Sequence, residues 1–336
     1  MDKRITIRDV AKEASVSIST VSKALNGVDV VKPETKKKIL EAANKLHYVP
    51  NLMGKQLKSG MTKMLGFYTN SISGPYFSPL VEAIAQEADK LGYGINVFIT
   101  SNKDVVMRSI MGNVVDGIIG FEDYINEDEV GLIKQKGIKA VFIDRKIRAE
   151  TIGSVVFDSQ NKGEIATDYL INKGHTKIAY ITGFTGVYDS DERFEGYKKS
   201  LKKAGITFRA DYILEGKFEE QAAYESIKYF METEVDYPTA FLAGNDLSAI
   251  GAIKSLYDLG YTVPDNFSVV GFDGIELLEY FEPKLTTINN PIELQGQCAV
   301  RHLVDMIETD APGKSLELEG ELIEGKSVKM IMTEEG

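Results

Sequence analysis

Thr6-Ile7-Arg8-Asp9-Val10-Ala11-Lys12-Glu13-Ala14-Ser15-Val16-Ser17-Ile18-Ser19-Thr20-Val21-Ser22-Lys23-Ala24-Leu25-Asn26 is the stretch that decides how the chain begins to fold. Ile7, Val10, Ala11 and Ala14 recur at the spacing of one helix face, with Thr6 placed to cap it and Asp9 three residues on. Ser15-Val16-Ser17 reads as a tight turn, and Ser17 can cap a second helix. In that helix Val21, Ala24 and Leu25 point inward, while Ile18, Ser19, Ser22, Lys23 and Asn26 point outward. Two short helices, a three-residue break and a polar outer face on the second predict a helix-turn-helix. A third helix is expected from Pro33, burying Ile39, Leu40, Ala43 and Leu46.

Charge divides the chain at the same place. Residues 1–63 carry thirteen Lys and Arg against six acids, whereas the whole chain has 39 basic and 50 acidic residues. The remainder therefore holds 26 bases against 44 acids. A basic head can neutralise phosphates, and an acidic body repels them and is free for another task. Pro50-Asn51 ends the third helix and opens another, in which Leu52, Gln56 and Leu57 share a face until Gly60.

The ordered pattern of Thr6, Ile7, Asp9, Val10, Ala11, Ala14, Val16, Ser17, Thr20, Val21, Ser22, Leu25 and Asn26, then Tyr48, Pro50 and Asn51, resembles the LacI/GalR family of bacterial transcriptional regulators. Lys32 departs from it, since the family usually has a small polar residue before the third-helix Pro. The resemblance implies that Ile18, Ser19 and Lys23 read base edges in the major groove of operator DNA. It adds Thr6, Ser17, Thr20, Ser22, Asn26, Tyr48, Asn51 and Lys55 as DNA contacts. It also implies a hinge helix that folds on DNA, with Leu57 pressed into a minor-groove step.

About 270 residues follow, enough for a large core in two subdomains. Apolar runs at Met64 to Tyr68, Ile95 to Thr100, Gly117 to Phe121 and Ala140 to Asp144 are separated by helical patterns such as Leu80 to Leu91 and Glu129 to Lys136. A second series has strands at Val155 to Phe157, Ile178 to Thr182, Thr239 to Ala243 and Ser268 to Phe272, with helices at Ile165 to Asn172, Arg193 to Ala204, Gln221 to Met231 and Ser248 to Leu259. The expected class is α/β: the helix-turn-helix head plus two doubly wound parallel-sheet lobes, which the resemblance makes lobes of periplasmic-binding-protein type. The expected domains are a head at 1–49, a hinge at 50–62 and a body at 63–336. Lobe one takes about 63–158 and 291–319, and lobe two about 161–289 and 320–336.

Ligands of such sheets bind beyond the carboxyl ends of the strands, between lobes. Asp144, Asn245 and Asp273 each stand just past an apolar run, and Arg193 opens a helix after the Ile178 to Thr182 strand. The resemblance implies that these four contact an effector. It makes Tyr76, Phe77 and Phe218 its walls and adds Asn290, which follows a crossover strand at Thr286 to Asn289. It extends through Asp116-Gly117-Ile118-Ile119, Gly174-His175, Gly196-Tyr197, Asn245-Asp246 and Gly271-Phe272-Asp273. Between Thr100 and Asp116 the chain is several residues shorter than the family, so Ser101, Asn102 and Lys103 receive no role.

Carboxylates and a guanidinium suit vicinal hydroxyls, so a small carbohydrate is the first expectation for the effector. A nucleobase-responsive repressor and a global regulator answering to a phosphorylated carrier protein are the alternatives. An enzyme is disfavoured: His47, His175 and His302 lie in separate segments, and no phosphate loop, nucleophile signature or metal-spaced Cys or His pair occurs. No metal or cofactor is expected. Cys298 reads as a packing residue. A charged, helical N-terminus and the lack of an apolar run of roughly 20 residues point to the cytoplasm, not to a periplasmic sugar-binding protein or a membrane. With no leucine heptad after Val328, a homodimer is expected.

Overall fold

The computed structural model describes residues 5–25, 30–49 and 60–331. The expected contacts Asn26, Asn51, Lys55 and Leu57, with the hinge helix itself, lie outside the described residues. The chain divides into two compact units, Met1–Thr62 and Lys63–Gly336.

In the first unit α1 (Ile7–Glu13), α2 (Ile18–Leu25) and α3 (Pro33–Lys45) close around Val10, Val21, Ile39, Ala42 and Ala43. The Asp9 carboxylate accepts from both the Thr6 N–H (2.8 Å) and the Thr6 hydroxyl (2.7 Å), which fixes where α1 starts. Ser15 takes a left-handed backbone (φ 54°), and the Val16 N–H reaches back to the Ala11 carbonyl at 3.0 Å, so the helix is stopped by a Schellman-type turn. Ser17 Oγ then accepts from the Thr20 N–H at 3.1 Å and starts α2. Leu40 is a correction: it is 44 % exposed, and Ala42 takes its place in the core. At about 100° per residue Leu40 is turned away from Ile39, whereas the residues three and four beyond Ile39 return to its face.

The second unit contains two six-stranded sheets. The first has the order β11-β5-β4-β3-β1-β2, from β1 (Met64–Thr69), β2 (Gly94–Ile99), β3 (Gly117–Phe121), β4 (Ala140–Ile143), β5 (Ile152–Phe157) and β11 (Ser315–Leu318). The second has the order β12-β10-β9-β8-β6-β7, from β6 (Ile178–Thr182), β7 (Ile213–Glu215), β8 (Ala240–Ala243), β9 (Ser268–Asp273), β10 (Thr286–Asn289) and β12 (Glu321–Ile323). Every named pair is parallel except β10 with β12. Central strands such as β5 and β9 are buried along their whole length, which is why they read as unbroken apolar runs.

Helices α4 (Phe77–Lys90), α5 (Lys103–Met111), α6 (Glu127–Gln135) and α11 (Ile292–Thr309) accompany the first sheet. The second sheet is covered by α7 (Ser159–Asn172), α8 (Tyr188–Lys203), α9 (Glu220–Thr233) and α10 (Asp246–Asp258). The chain passes between lobes after β5, between β10 and α11, and between β11 and β12.

One further reading needs correction. Arg193 sits in the second turn of α8, not at its start, because the polar run Asp189-Ser190-Asp191-Glu192 is itself helical; acids are stabilised in a first turn by the helix dipole. Beyond β12, Val328 packs on the lobe-two core, the Ile331 N–H donates to the Lys173 carbonyl at 2.7 Å, and Met330 is exposed. Among the described residues no helix is long and apolar enough to cross a membrane.

Helices α7 and α8 meet through glycines. A Cβ on Gly196 would lie 2.1 Å from the Gln160 carbonyl oxygen, and one on Gly163 would lie 2.5 Å from that of Arg193. Gly196→Ala is therefore expected to destabilise the chain by roughly 1–3 kcal/mol, the clash outweighing the better helix propensity of Ala. Gly131→Ala, in an exposed turn of α6 with nothing within 4 Å, should stabilise it by up to about 1 kcal/mol. Urea midpoints of the two variants check both signs, and a midpoint for Gly196→Ala at or above the parent's rejects the close-approach argument.

Candidate functional site

The outer face of α2 presents Ile18, Ser19 and Lys23 to solvent, with Ile18 45 % exposed at the first turn. Ser22 is half-buried on the same helix. Ser17 and Thr20 are joined to each other at 2.7 Å and build the cap, and Thr6 builds the cap of α1. Tyr48 is half-buried against the head core, just beyond a left-handed turn at His47. Ile18, Ser19 and Lys23 therefore lie on an open surface, whereas Thr6, Ser17, Thr20 and Tyr48 also carry local structure.

In the body, a cleft of about 750 Å³ opens between the carboxyl ends of the two sheets. Asn70 to Phe77 follow β1, Phe121 and Glu122 end β3, and Asp144 follows β4. From the other lobe come Phe184, Asp189 and Arg193 after β6, Lys217 to Glu220 after β7, Asn245 and Leu247 after β8, and Asp273 and Ile275 at the end of β9. Parallel strands all end on one side, so topology alone brings these loops together. Glu122, Asp144, Lys217, Phe218 and Asp273 have positive φ (48°, 54°, 52°, 56° and 107°). Such a backbone costs non-glycine residues of order 1 kcal/mol each and marks a surface shaped for something other than stability.

Arg193 is the centre of the lobe-two wall. Only 3 % exposed, it donates to the Gly244 carbonyl at 2.6 Å and pairs with Asp189 at 3.2 Å and Asp273 at 3.0 Å. Its guanidinium also stands 4.1 Å from the Phe272 ring centroid and 5.7 Å from that of Phe218. Burial pushes the Asp273 carboxyl up to about 6 against the pull of Arg193, and burial likewise raises Asp189. Burial alone would lower Arg193, but Asp273 and Asp189 more than offset it and hold the guanidinium charged.

On the lobe-one wall Tyr76, Phe77 and Phe121 form an aromatic cluster with centroids 4.9 to 5.8 Å apart. Asp144 lines the cleft, yet both its oxygens are engaged, one with Tyr76 at 2.5 Å and the other with the Gln295 amide. Asn245 caps α10 through the Ser248 N–H at 2.9 Å and donates to the Phe218 carbonyl at 3.0 Å, so it also sets that loop.

Tyr76, Phe77, Asp144, Arg193, Phe218, Asn245 and Asp273 thus share one cleft, as their positions beyond strand ends suggest. Asn290 does not line it. It is buried next to the Asp273 backbone, its N–H donating to the Asp273 carbonyl at 3.0 Å, and it borders a neighbouring groove with Pro75 and Gly274. The crossover strand β10 lies beside β9 in the sheet, with Asn289 level with Asp273, so Asn290 follows on the side towards the neighbouring groove.

Sequence reasoning missed Phe121, Glu122, Phe184, Asp189 and Gln295. Asp189 could have been found as the helical i−4 neighbour of Arg193, whereas Gln295 lies on α11 and carries no local signal. Asp246 is structural: buried, it accepts from the Gly274 and Ile275 N–H groups and from Thr287, and burial lifts its carboxyl to about 8.

Chemically this is a binding site. His175 is fully buried between Thr239 and the Lys329 carbonyl, and His302 accepts from the Lys314 N–H, both away from the cleft. Among the described residues no group of His, Cys, Asp and Glu could hold a metal ion.

A helix-turn-helix head on a two-lobed cleft body defines a ligand-responsive DNA-binding regulator. Residues 6–51 match the model of bacterial regulatory proteins of the lacI family, and residues 167–328 match a periplasmic binding protein-like domain. The HTH-type transcriptional repressor PurR of Mannheimia succiniciproducens is 32 % identical over 332 residues, covering 97 % of this chain and 99 % of the relative. PurR of Vibrio vulnificus is 33 % identical over 333 residues, covering 97 % and 99 %. Among solved structures, the Lac repressor dimer bound to operator and the anti-inducer ONPF superposes with a TM-score of 0.85 at 27 % identity, covering 97 % of this chain and all of that one. The complex of the transcriptional regulator CelR with cellobiose gives 0.73 at 26 %, covering 96 % and 100 %. The chain belongs to the LacI family. It is a DNA-binding transcriptional repressor and not an enzyme.

Arg193→Ala is expected to cost roughly 3–5 kcal/mol at about pH 8, because Asp189 and Asp273 stay buried without their counter-ion. The cost should shrink towards about pH 5. Those carboxyls, raised further in the variant, bind protons in the folded state that the unfolded chain does not, so stability falls as pH rises. Urea denaturation at the two pH values decides it, and a pH-independent loss rejects the charge argument.

Proposed function

We propose that the chain represses transcription as a homodimer whose operator affinity is set by an uncharged nucleobase held in the interlobe cleft. The carrying observation is the aromatic lining on both walls, Tyr76, Phe77 and Phe121 on one and Phe184 and Phe218 on the other. A planar heterocycle can stack on both faces while Arg193, Asp189 and Asp273 meet its hydrogen-bonding edge. A pyranose has axial and equatorial hydroxyls that such a slot would leave unpaired.

Two further points favour the base over the carbohydrate first expected. Relatives of 31–33 % identity carry the name PurR, which points to a purine, while the cellobiose- and ribose-bound neighbours stand at 26 % and 25 %. The cleft is lined by Glu122, Asp189, Glu219, Glu220 and Asp273 against Arg193 and Lys217, a balance that repels phosphate and favours a free base over a nucleotide.

On DNA, a two-fold dimer would set two α2 helices in major grooves about 34 Å apart, with Lys23 and Ser19 on base edges and Ile18 against a thymine methyl. Asn26, Tyr48, Asn51 and Lys55 would join Thr6, Ser17, Thr20 and Ser22 around the backbone, and Leu57 would wedge the minor groove between. An effector that favours the paired-hinge state is a co-repressor, and one that favours the splayed state is an inducer.

Calorimetry of the full chain against adenine, guanine, hypoxanthine, uracil, glucose, ribose and cellobiose tests the cleft. Saturable binding of a base is expected. Phe218→Ala should weaken it by about 1–3 kcal/mol, the worth of one base–aromatic stack. Binding of a sugar and no base rejects the reading.

The head is tested by operator titration. Lys23→Ala should lower affinity and relax preference at one base pair, by about 1–3 kcal/mol of discrimination. An unchanged sequence profile removes Lys23 from base reading.

A further inference from the structure

Three side chains close a ring in the lobe-one wall. Tyr76 Oη lies 2.5 Å from Asp144 Oδ2 and 2.8 Å from Gln295 Oε1, and the Gln295 amide nitrogen donates to Asp144 Oδ1. Asp144 and Gln295 are buried, 4 % and 0 % exposed. The ring joins the start of α4, the end of β4 and the first turn of α11.

Each of the three contacts needs one hydrogen between its two heavy atoms. With Asp144 ionised, the Gln295 N–H serves Asp144 Oδ1, and the single phenolic hydrogen must serve two acceptors. Turning the amide over does not help. Its N–H then serves Tyr76 Oη and the phenol serves Asp144 Oδ2, but Gln295 Oε1 faces a carboxylate oxygen with nothing between. In either orientation the ring is one hydrogen short. A proton on Asp144 supplies it: Asp144 donates to Tyr76, Tyr76 to Gln295 and Gln295 to Asp144, each donating once and accepting once.

The surroundings agree. Glu122 at the end of β3 and Asp189 on α8 face Asp144 with like charge, and Asp273 at the end of β9 faces Tyr76. Arg193 is the cation within reach, and it is spent on Gly244, Asp189 and Asp273. Arg145, next along the chain, turns to the Ile125 carbonyl and Glu127.

We propose that Asp144 holds a proton at neutral pH, so that Tyr76, Asp144 and Gln295 form an uncharged clasp that fixes the aromatic wall of the cleft and loosens when Asp144 ionises. Burial, then the charge of Asp189, holds the Asp144 carboxyl well above the usual carboxylate range. A folded-state value above the unfolded one means stability that is full below the unfolded value and lost as pH rises through the folded one. The inference rests on the cleft reading for its meaning, but its test contains no effector, so either can fail without the other.

Asp144→Asn is the decisive variant. Its Nδ2–H can donate to Tyr76 and its Oδ1 accept from Gln295, which reproduces the protonated ring without a titrating group. Infrared spectra of the full chain at about pH 7 should show a carboxylic-acid carbonyl band in the parent that is missing from the variant. Asp246, present in both, cancels in the difference. Thermal midpoints from about pH 5 to 9 should fall more steeply in the parent, so that the difference between the two widens with pH in the variant's favour. Asp144→Leu, which loses every ring contact, should be less stable throughout. No difference band, or an Asn variant that is destabilised equally at all pH or fails to fold, overturns the proposal, because an ionised Asp144 is the state that Asn cannot replace.

Discussion

The cleft depends on one buried cation. Arg193 is held by α8, yet its partners are the carbonyl at the end of β8, the carboxylate at the end of β9 and a carboxylate one turn back on its own helix. Desolvating a guanidinium is expensive, and only several partners at once offset that cost. Two carboxylates close together would repel each other without it. The cation and its acids therefore fix the ends of two adjacent strands and the helix that faces them, and the geometry of the lobe-two wall follows. Asp246 extends this order by one layer, since its carboxyl holds the N–H groups of Gly274 and Ile275 just beyond Asp273.

The two walls solve the problem of buried polar groups differently. Lobe two uses charge against charge, with Phe272 and Phe218 covering the guanidinium. Among the described residues lobe one lines the cleft with Glu122 and Asp144 and no cation, and Asp144 is matched to a phenol and an amide. A ligand entering between them meets a charged, hydrogen-bonding side and an aromatic, weakly polar one. Under the proposed nucleobase reading, that asymmetry would give a flat heterocycle a preferred orientation as well as a place to stack.

The fold was largely legible because parallel strands buried on both faces leave unbroken apolar runs, as β3, β4, β6 and β8 do. The edge strands β7, β11 and β12 are three or four residues long with partly exposed side chains, and their pairing partners define them more than their own residues do. At the site, residues just past a strand end could be named from order alone, which is how Asp144, Asn245 and Asp273 were reached. What order alone does not give is whether a polar atom is already used. Asp144 and Asn245 reach the cleft with their hydrogen bonds committed to Tyr76, Gln295, Ser248 and Phe218, and Gln295 arrives from an element about 150 residues away. Leu40 in the head failed for a simpler reason, as a residue judged by its apolarity and not by its angle on the helix.

Charge then assigns the labour between the two units. Residues 1–63 hold an excess of seven bases, and the remainder an excess of eighteen acids. Counter-ion release drives DNA affinity, so only the basic unit gains from a phosphate backbone, and the acidic one is pushed away from it. The body's acidity therefore works against non-specific binding of DNA to its cleft. Under the proposed reading the same acidity would also act against phosphorylated ligands, so that the sign of the body's charge would bear on effector choice as well as on DNA discrimination. Under the proposed reading one unit reads the operator and the other a small neutral molecule, and linkage makes each binding event change the affinity of the other by the same factor.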